Sequence, residues 1–219
     1  KKAEELGCVN THFVNPNGLH DDNHYTCAYD MALITQAAMK YDKFREIIHT
    51  QEYSYPETNL VKEKRYFANH HAMLTDDSRA YEGFIGGKTG FTDQAWNTLV
   101  STAERDGMLL ISVVLHADGQ DIEYGNTKTV LDYGFANFKE VQVNNLDQSA
   151  ANLEVTGIED PQELEKIKTA DFSKAPFTMD ETTTITIPDN VDSSSLTKKM
   201  DFAADKLTYY YGDQALGST

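Results

Sequence analysis

Positive charge is scarce in this sequence. Against 35 Asp and Glu stand only 19 Lys and Arg, giving 19 − 35 = −16 and a pI near 4.7. Phosphate backbones and anionic lipid surfaces are held by clustered Lys and Arg, so the balance argues against nucleic acid or an acidic membrane as partner. No run of 18 apolar residues occurs, and no segment reads as a membrane-spanning helix. The opening "KKAEELG" lacks the apolar stretch of a signal peptide and reads as a helix already under way. Cysteine is rare too. Cys8 and Cys27 can form one disulfide in an oxidising compartment, or remain two thiols packed as small hydrophobes, which is the simpler reading.

What is present is ordinary for a globular protein: 40% hydrophobic and 25% charged residues in a chain of 219. That length allows one large domain or two small ones. Asn-Pro and Asn-Gly punctuate residues 10–26, which predicts an ordered loop with tight turns. Thr26 is expected to cap a helix "CAYDMALITQAAMKY" with Ala28, Met31, Ala32, Leu33 and Ile34 as its apolar stripe. "DKFREIIHT" predicts a second short helix, and residues 51–68 a strand pair. "GFIGGKTGFT", "AWNTLVSTAER" and "GMLLISVVLHA" predict three antiparallel strands, with Asp106-Gly107 as the hairpin turn between the last two. A helix over "DIEYGNTKTVLDYGFANF" follows, with Val130, Leu131, Tyr133, Gly134 and Phe138 expected toward the sheet. Beyond residue 140 the texture turns to Thr, Asp and Ser, with short strands in "TTTITIP" and "KLTYYYG" and no helix of any length. The expected organisation is an α/β domain over 1–140 and a small β-sandwich-like domain over 141–219.

The chemistry gathers at Gly86-Gly87-Lys88-Thr89-Gly90-Phe91-Thr92. Glycine weakens a strand, so Gly90 needs a reason; one is room for a peptide lying alongside as an added strand. Lys88 supplies a fixed positive charge and Thr89 a hydroxyl donor for a carboxylate. The N–H of Phe91 can face a developing oxyanion. The stretch also mimics part of a phosphate loop, but Glu82 stands where that pattern needs glycine, and a strand follows where it needs a helix.

Lys-Thr-Gly is the third motif of penicillin-binding proteins and serine β-lactamases, after Ser-x-x-Lys and a Ser-x-Asn type element. The chain resembles the low-molecular-mass serine D-alanyl-D-alanine carboxypeptidases through "ELGCVNTHFVNPNGLHDDNHYTCAYDMALI", "YEGFIGGKTGFTDQAWNTLVSTAERDGMLLISVVL" and "TVLDYGF". Residues 141–219 are similar to the β-rich second domain of that family, best in "LTYYYGDQALGS". The resemblance implies a penicillin-binding/β-lactamase-like fold and a serine that attacks the terminal D-Ala-D-Ala bond of a peptidoglycan stem peptide. An acyl-enzyme forms, D-alanine leaves, water releases the shortened peptide, and β-lactams acylate the same serine. It implies that Lys88, Thr89 and Gly90 bind substrate, that Lys88 and Thr89 hold its carboxylate, and that Phe91 gives the oxyanion donor. It further implies a secreted or anchored protein on the outer face of a bacterial envelope, and no cofactor.

The family's other motifs are missing. Before Lys88 the only serines are Ser54 and Ser78, neither with lysine three residues on, and no Ser-x-Asn precedes it. The sole Ser-x-x-Lys, Ser195 to Lys198, falls in a polar stretch of the second domain and reads as coincidence. The nucleophile is therefore expected ahead of Lys1, on a part of the domain this chain lacks. That expectation carries two others: a non-catalytic cell-wall or protein-binding role for the chain alone, and self-association through uncovered apolar surface. Two positions also depart from the family. Asn17 stands where a histidine is common, and Glu123 falls near an arginine that orients the substrate carboxylate. "HDDNH" (20–24) and His70-His71 are read as loop residues rather than metal ligands, since neither has ligand spacing. Trp96 and Tyr209 to Tyr211 are assigned to core and strand packing.

Overall fold

The strand pattern that carries Lys88 is complete within 34 residues, from Phe84 to Ala117. In a computed structural model of the chain, β3 (Phe84–Thr92), β4 (Trp96–Arg105) and β5 (Met108–Ala117) form one antiparallel sheet in that order. Asp106 at φ 51° and Gly107 at φ 89° make the β4–β5 turn, both left-handed as a primed two-residue hairpin requires. The structure describes residues 1–142, 153–158, 160–168, 184–201 and 206–218. The chain divides into two units, Lys1–Phe135 and Ala136–Thr219.

In the first unit α1 (Lys2–Glu5), α2 (Ala28–Ala38) and α3 (Asp42–His49) precede a two-stranded hairpin of β1 (Glu52–Tyr55) and β2 (Arg65–Ala68). A short α4 (Ala72–Thr75) leads into the sheet, and α5 (Gln120–Asn137) follows it. Directly paired residues share a sheet face. One face therefore carries Gly87, Ser101 and Ser112 in one row and Thr89, Leu99 and Val114 in the next. This face meets α4 and α5, where Leu99, Met73 and Tyr124 form a buried cluster. Gly86 points to the opposite face, against α3; a Cβ there would lie 2.6 Å from the Ile48 carbonyl oxygen. An Arg45–Glu104 ion pair at 2.6 Å ties α3 to β4.

Two local expectations are corrected. Cys27, not Thr26, caps α2: its Sγ accepts from Asp30 N at 3.5 Å, while Thr26 Oγ1 pairs with Thr11 Oγ1 at 2.8 Å. Asp30, wholly buried, takes the Asn10 N–H and the Thr11 hydroxyl on Oδ2, so α2 anchors the start of the loop through 10–26. Ala28 is exposed, and Met31 to Ile34 are half-buried. On α5 the buried residues are Glu123, Tyr124, Thr127 and Leu131, with Gly134 close enough to Leu110 that a Cβ would sit 2.5 Å from Cδ1. Val130 and Tyr133 lie one position off that stripe, about 100° round the helix, and are 51% and 62% exposed. Phe138 leaves the helix to open β6. Cys8 and Cys27 are free thiols, each hydrogen-bonded to the backbone of Asp30.

In the second unit β6 (Phe138–Gln142) pairs with β8 (Thr184–Pro188). β7 (Leu153–Thr156), β9 (Thr197–Asp201), β10 (Lys206–Tyr211) and β11 (Gln214–Ser218) form a four-stranded sheet in the order β11-β10-β9-β7. Both sheets feed one core of Ile185, Ile187, Val191, Leu196 and Tyr209. A helix also appears where none is expected: α6, Pro161–Lys168. Proline at its first position and the Asp160 carboxylate accepting from Gln162 N at 2.8 Å start it, and Glu, Lys and Ile suit its interior.

Candidate active site

Lys88, Thr89, Gly90 and Phe91 lie on β3, the edge strand of its sheet, with β4 on one side. An edge leaves one row of backbone N–H and C=O groups without a strand partner, which is what an added peptide strand uses. Lys88 is exposed, and its Nζ donates to the Thr89 carbonyl at 2.6 Å, with no ion pair among the described residues. Thr89 is half-buried and Phe91 is 64% exposed. The glycines have intramolecular reasons. A Cβ on Gly87 would fall 2.0 Å from the Val100 carbonyl oxygen and 3.0 Å from the His71 ring. On Gly90 it would fall 2.5 Å from Thr98 Oγ1, a side-chain atom that can rotate away, so the crowding is milder there than at Gly87.

Sequence reasoning missed what supports this strand. His71 is fully buried beneath Gly87, with its ring 4.5 Å from Phe84 and edge-on to Tyr124 at 5.5 Å. Met73 N–H donates to Nδ1 at 3.3 Å, which leaves the proton on Nε2, and Nε2–H donates to Ser101 Oγ at 3.0 Å. Burial drives the His71 pKa down to about 4, and the positive charge of Lys88 pushes the same way against a bond to the Val100 carbonyl. The imidazole is neutral at pH 7. The Ser101–His71 pair superficially suggests a nucleophile with its base. It is not one: Ser101 is buried, and the nitrogen it meets is already protonated. The only signal in the sequence was two adjacent histidines, and the groups that pack on His71, from Phe84, Ser101 and Tyr124, lie 13, 30 and 53 positions away.

Glu123 sits 2% exposed on α5, with Oε2 lacking a hydrogen-bond partner. Burial raises its pKa to about 6, against the pull of Arg79. Arg79 itself pairs with Asp121 at 2.6 Å and lies over the Tyr124 ring. Glu123 thus faces inward as part of the support, not outward as a carboxylate-binding cation would. Ser195 closes a one-turn 3-10 helix, Ser193–Ser195, and its Oγ donates to the Asp192 carbonyl at 2.7 Å. It is exposed and opens no α-helix, whereas Lys198 is buried on β9. In the loop, Asn17 Oδ1 accepts from Leu19 N, His20 meets Asp22, and His24 Nδ1 accepts from Val14 N. Tyr209 is core, as expected, but Tyr211 is 46% exposed.

Trp96 is not packed inside. It is 42% exposed, and its ring stacks on His116 at 4.3 Å and 10°. Both residues have left-handed backbones, at φ 56° and 58°. Such backbone costs an L-residue on the order of 1–2 kcal/mol, whereas an aromatic pair returns roughly 0.5–1.5 kcal/mol. One stack does not offset two such positions.

The profile of a family described as D-alanyl-D-alanine carboxypeptidase matches residues 1–119. D-alanyl-D-alanine carboxypeptidase DacF of Bacillus subtilis is 32% identical over 155 residues, which are 71% of this chain and 38% of that protein. D-alanyl-D-alanine carboxypeptidase DacB2 of Mycobacterium tuberculosis is 30% identical over 150 residues, 66% of this chain and 49% of the relative. Among solved structures, the D-alanyl-D-alanine carboxypeptidase of Mycobacterium tuberculosis aligns at TM-score 0.54 and 30% identity, over 62% of this chain and 50% of that one. A DD-transpeptidase of Streptomyces aligns at TM-score 0.56 and 30% identity, over 62% and 51%. The chain spans between 38% and 51% of the length of these relatives. With its profile match, its relatives and its α/β fold in agreement, the chain belongs to the D-alanyl-D-alanine carboxypeptidase family.

Proposed function

We propose that this chain is the substrate-docking part of a serine D-Ala-D-Ala carboxypeptidase that trims peptidoglycan stem peptides on the outer face of a bacterial cell envelope. The observation that carries it is Lys88-Thr89-Gly90 on an edge strand, with the lysine exposed and free of any ion pair among the described residues. A stem peptide would add to β3 as a strand, its terminal carboxylate held by the Lys88 ammonium and the Thr89 hydroxyl. The Phe91 N–H would stabilise the oxyanion as a serine oxygen adds to the penultimate D-alanine carbonyl. The C–N bond then breaks, D-alanine leaves as the amine after taking a proton, and water hydrolyses the ester. β-Lactams would enter the same place. His71, neutral and buried, would hold β3 in position without touching substrate.

The serine is the part this reading does not find here, since no Ser-x-x-Lys precedes Lys88 and Ser195 is exposed in the other unit. The second reading, a chain that binds cell-wall peptide without reacting, rests on that absence. Calorimetry with an N-acyl-D-Ala-D-Ala peptide tests the docking role. Binding should weaken at least tenfold in Lys88→Gln, because a charge-assisted contact is replaced by a neutral one. Equal affinity in both proteins would sink the proposal. Intact mass after incubation with penicillin should show no adduct; an adduct would mean that a nucleophile exists in this chain, and Ser195 would be the first suspect.

A further inference from the structure

Lys88 follows two glycines, and each is approached closely from a different face of the sheet. Gly86 lies against the end of α3, where a Cβ would fall 2.6 Å from the Ile48 carbonyl oxygen. Gly87 lies beneath His71 on the other face, where a Cβ would fall 3.0 Å from the imidazole. Between Ile48 and His71 the chain therefore changes face, and Asn69 shows where. Its Nδ2 donates to the carbonyls of Ile48 and Thr50 at 3.2 and 3.1 Å, and its Oδ1 accepts from His71 N at 2.9 Å. One side chain thus ties the end of α3 to the residue on the opposite face, with only His70 in between, and His70 is exposed. β4 fills the inner side of β3 here, pairing Gly86 with Thr102 and Gly87 with Ser101, and β3 runs on past Gly86 to Phe84. A run of three residues can pass neither through the paired side nor round the strand end. Asn69-His70-His71 crosses the free edge of β3, just ahead of Lys88. Two carbonyls of β3 are also taken at this point: His49 Nδ1 donates to Ile85 O at 2.6 Å and Thr102 Oγ1 to Gly86 O at 2.8 Å.

The usable edge of β3 thus begins at Lys88, which limits any peptide added to it; here the inference rests on the docking role proposed above. With its carboxylate at Lys88 and Thr89 and its scissile carbonyl at Phe91, the peptide runs antiparallel to β3, its N-terminal part toward Thr92. A chain continuing past the carboxylate would advance about 3.3 Å per residue toward Gly87, into the crossing segment. We propose that Asn69, His70 and His71 form an end stop, so that the site takes the last residue of a chain and rejects a chain that continues. The Lys88 charge alone does not give that rule, because a carboxylate can also come from a side chain. An obstruction built across the strand edge does.

Three ligands separate the stop from the clamp: N-acetyl-D-Ala-D-Ala as the free acid, as the amide and as the n-propylamide. The last two are equally uncharged and differ only in length past the terminus. In NMR titrations of the isotope-labelled chain, the acid should bind tightest. It should move the amide signals of Thr89, Gly90 and Phe91 and leave those of Ile85 and Gly86 in place. The propylamide should bind roughly tenfold more weakly than the amide. In Asn69→Ala, which removes all three ties of the crossing segment, the two neutral ligands should bind alike. Unmoved β4 and β5 signals will show that the variant's sheet is intact. Should the variant not fold, the parent chain still decides, by the two neutral affinities and by where the shifts stop. Equal affinities for amide and propylamide in the parent, or a difference that survives Asn69→Ala, overturn the stop and leave the clamp standing. So do acid-induced shifts as large at Ile85 as at Thr89. If the acid does not bind, the docking role falls and the stop with it.

Discussion

At the scale of single residues, His71 and Glu123 set opposing pH dependences in the same unit. The folded state holds His71 neutral, with its pKa at about 4 against 6.5 in the unfolded chain. That contribution is present above 6.5 and is lost as pH falls toward 4, because only the unfolded chain takes up the proton. For Glu123 the folded value is about 6 against 4.5, so the protonated acid is the form the fold prefers. Its contribution is present below 4.5 and is lost as pH rises through 6. The linked energies are on the order of 3 kcal/mol for His71 and 2 kcal/mol for Glu123, so histidine wins and the fold weakens in acid. Glu123→Gln should remove the opposing gain and steepen the loss of melting temperature between pH 7 and pH 4.5. His71→Asn should start lower at pH 7 and then rise as pH falls toward 4.5, because the Glu123 gain is left unopposed. Parallel pH curves for all three proteins would refute this assignment. Neither role was legible in the sequence, because burial of a polar side chain is decided by elements far away in the chain. Lys88, Thr89, Gly90 and Phe91 were legible as a group because their spacing is local and the strand that displays them is continuous.

At the scale of elements, close approach decides what two glycines tolerate. Gly87→Ala would place a Cβ 2.0 Å from a backbone oxygen of β4 and against the His71 ring, neither of which can step aside without breaking the ladder. A loss of roughly 2–4 kcal/mol in urea melts is expected. Gly134→Ala meets only the end of the Leu110 side chain, at 2.5 Å, and alanine gains about 1 kcal/mol of helix propensity. Leu110 can rotate away, so the same melts should place Gly134→Ala within about 1 kcal/mol of the parent. Similar losses in both would show that the backbone contact at Gly87 is not the limiting one. The three strands and their Asp-Gly turn could be read directly, since period-two alternation and a primed turn are short-range signals. The inward face of α5 was read partly wrong. Its stripe mixes Glu123 and Thr127 with Leu131, so hydrophobicity alone pointed to Val130 and Tyr133 instead. The bulge at His116 left no trace in the pattern, because a bulge changes pairing and not composition.

At the scale of the whole molecule, two properties pull against each other. The first unit leaves large apolar side chains in water, among them Val9 at 81%, Leu19 at 68%, Tyr29 at 69% and Tyr41 at 68%. Its β1–β2 hairpin is exposed along both strands and presents Tyr53, Tyr55, Tyr66 and Phe67. Exposed apolar groups and a two-stranded hairpin with open edges favour association with a second copy. The net charge of −16 opposes it, since bringing two such chains together concentrates like charge. Salt separates the two forces. The screening length falls from roughly 10 Å at 0.1 M to 3 Å at 1 M, while apolar attraction is not screened. We therefore expect light scattering to show mainly monomer in dilute buffer and a growing dimer fraction as salt rises. Tyr66→Ser together with Phe67→Ser should suppress that growth if the hairpin is the contact, and leave the sheet of Lys88 intact. A chain that stays monomeric up to 1 M salt would show that these side chains do not drive association. A dimer that dissolves on adding salt would instead assign the contact to ion pairs, which the shortage of lysine and arginine makes the weaker candidate.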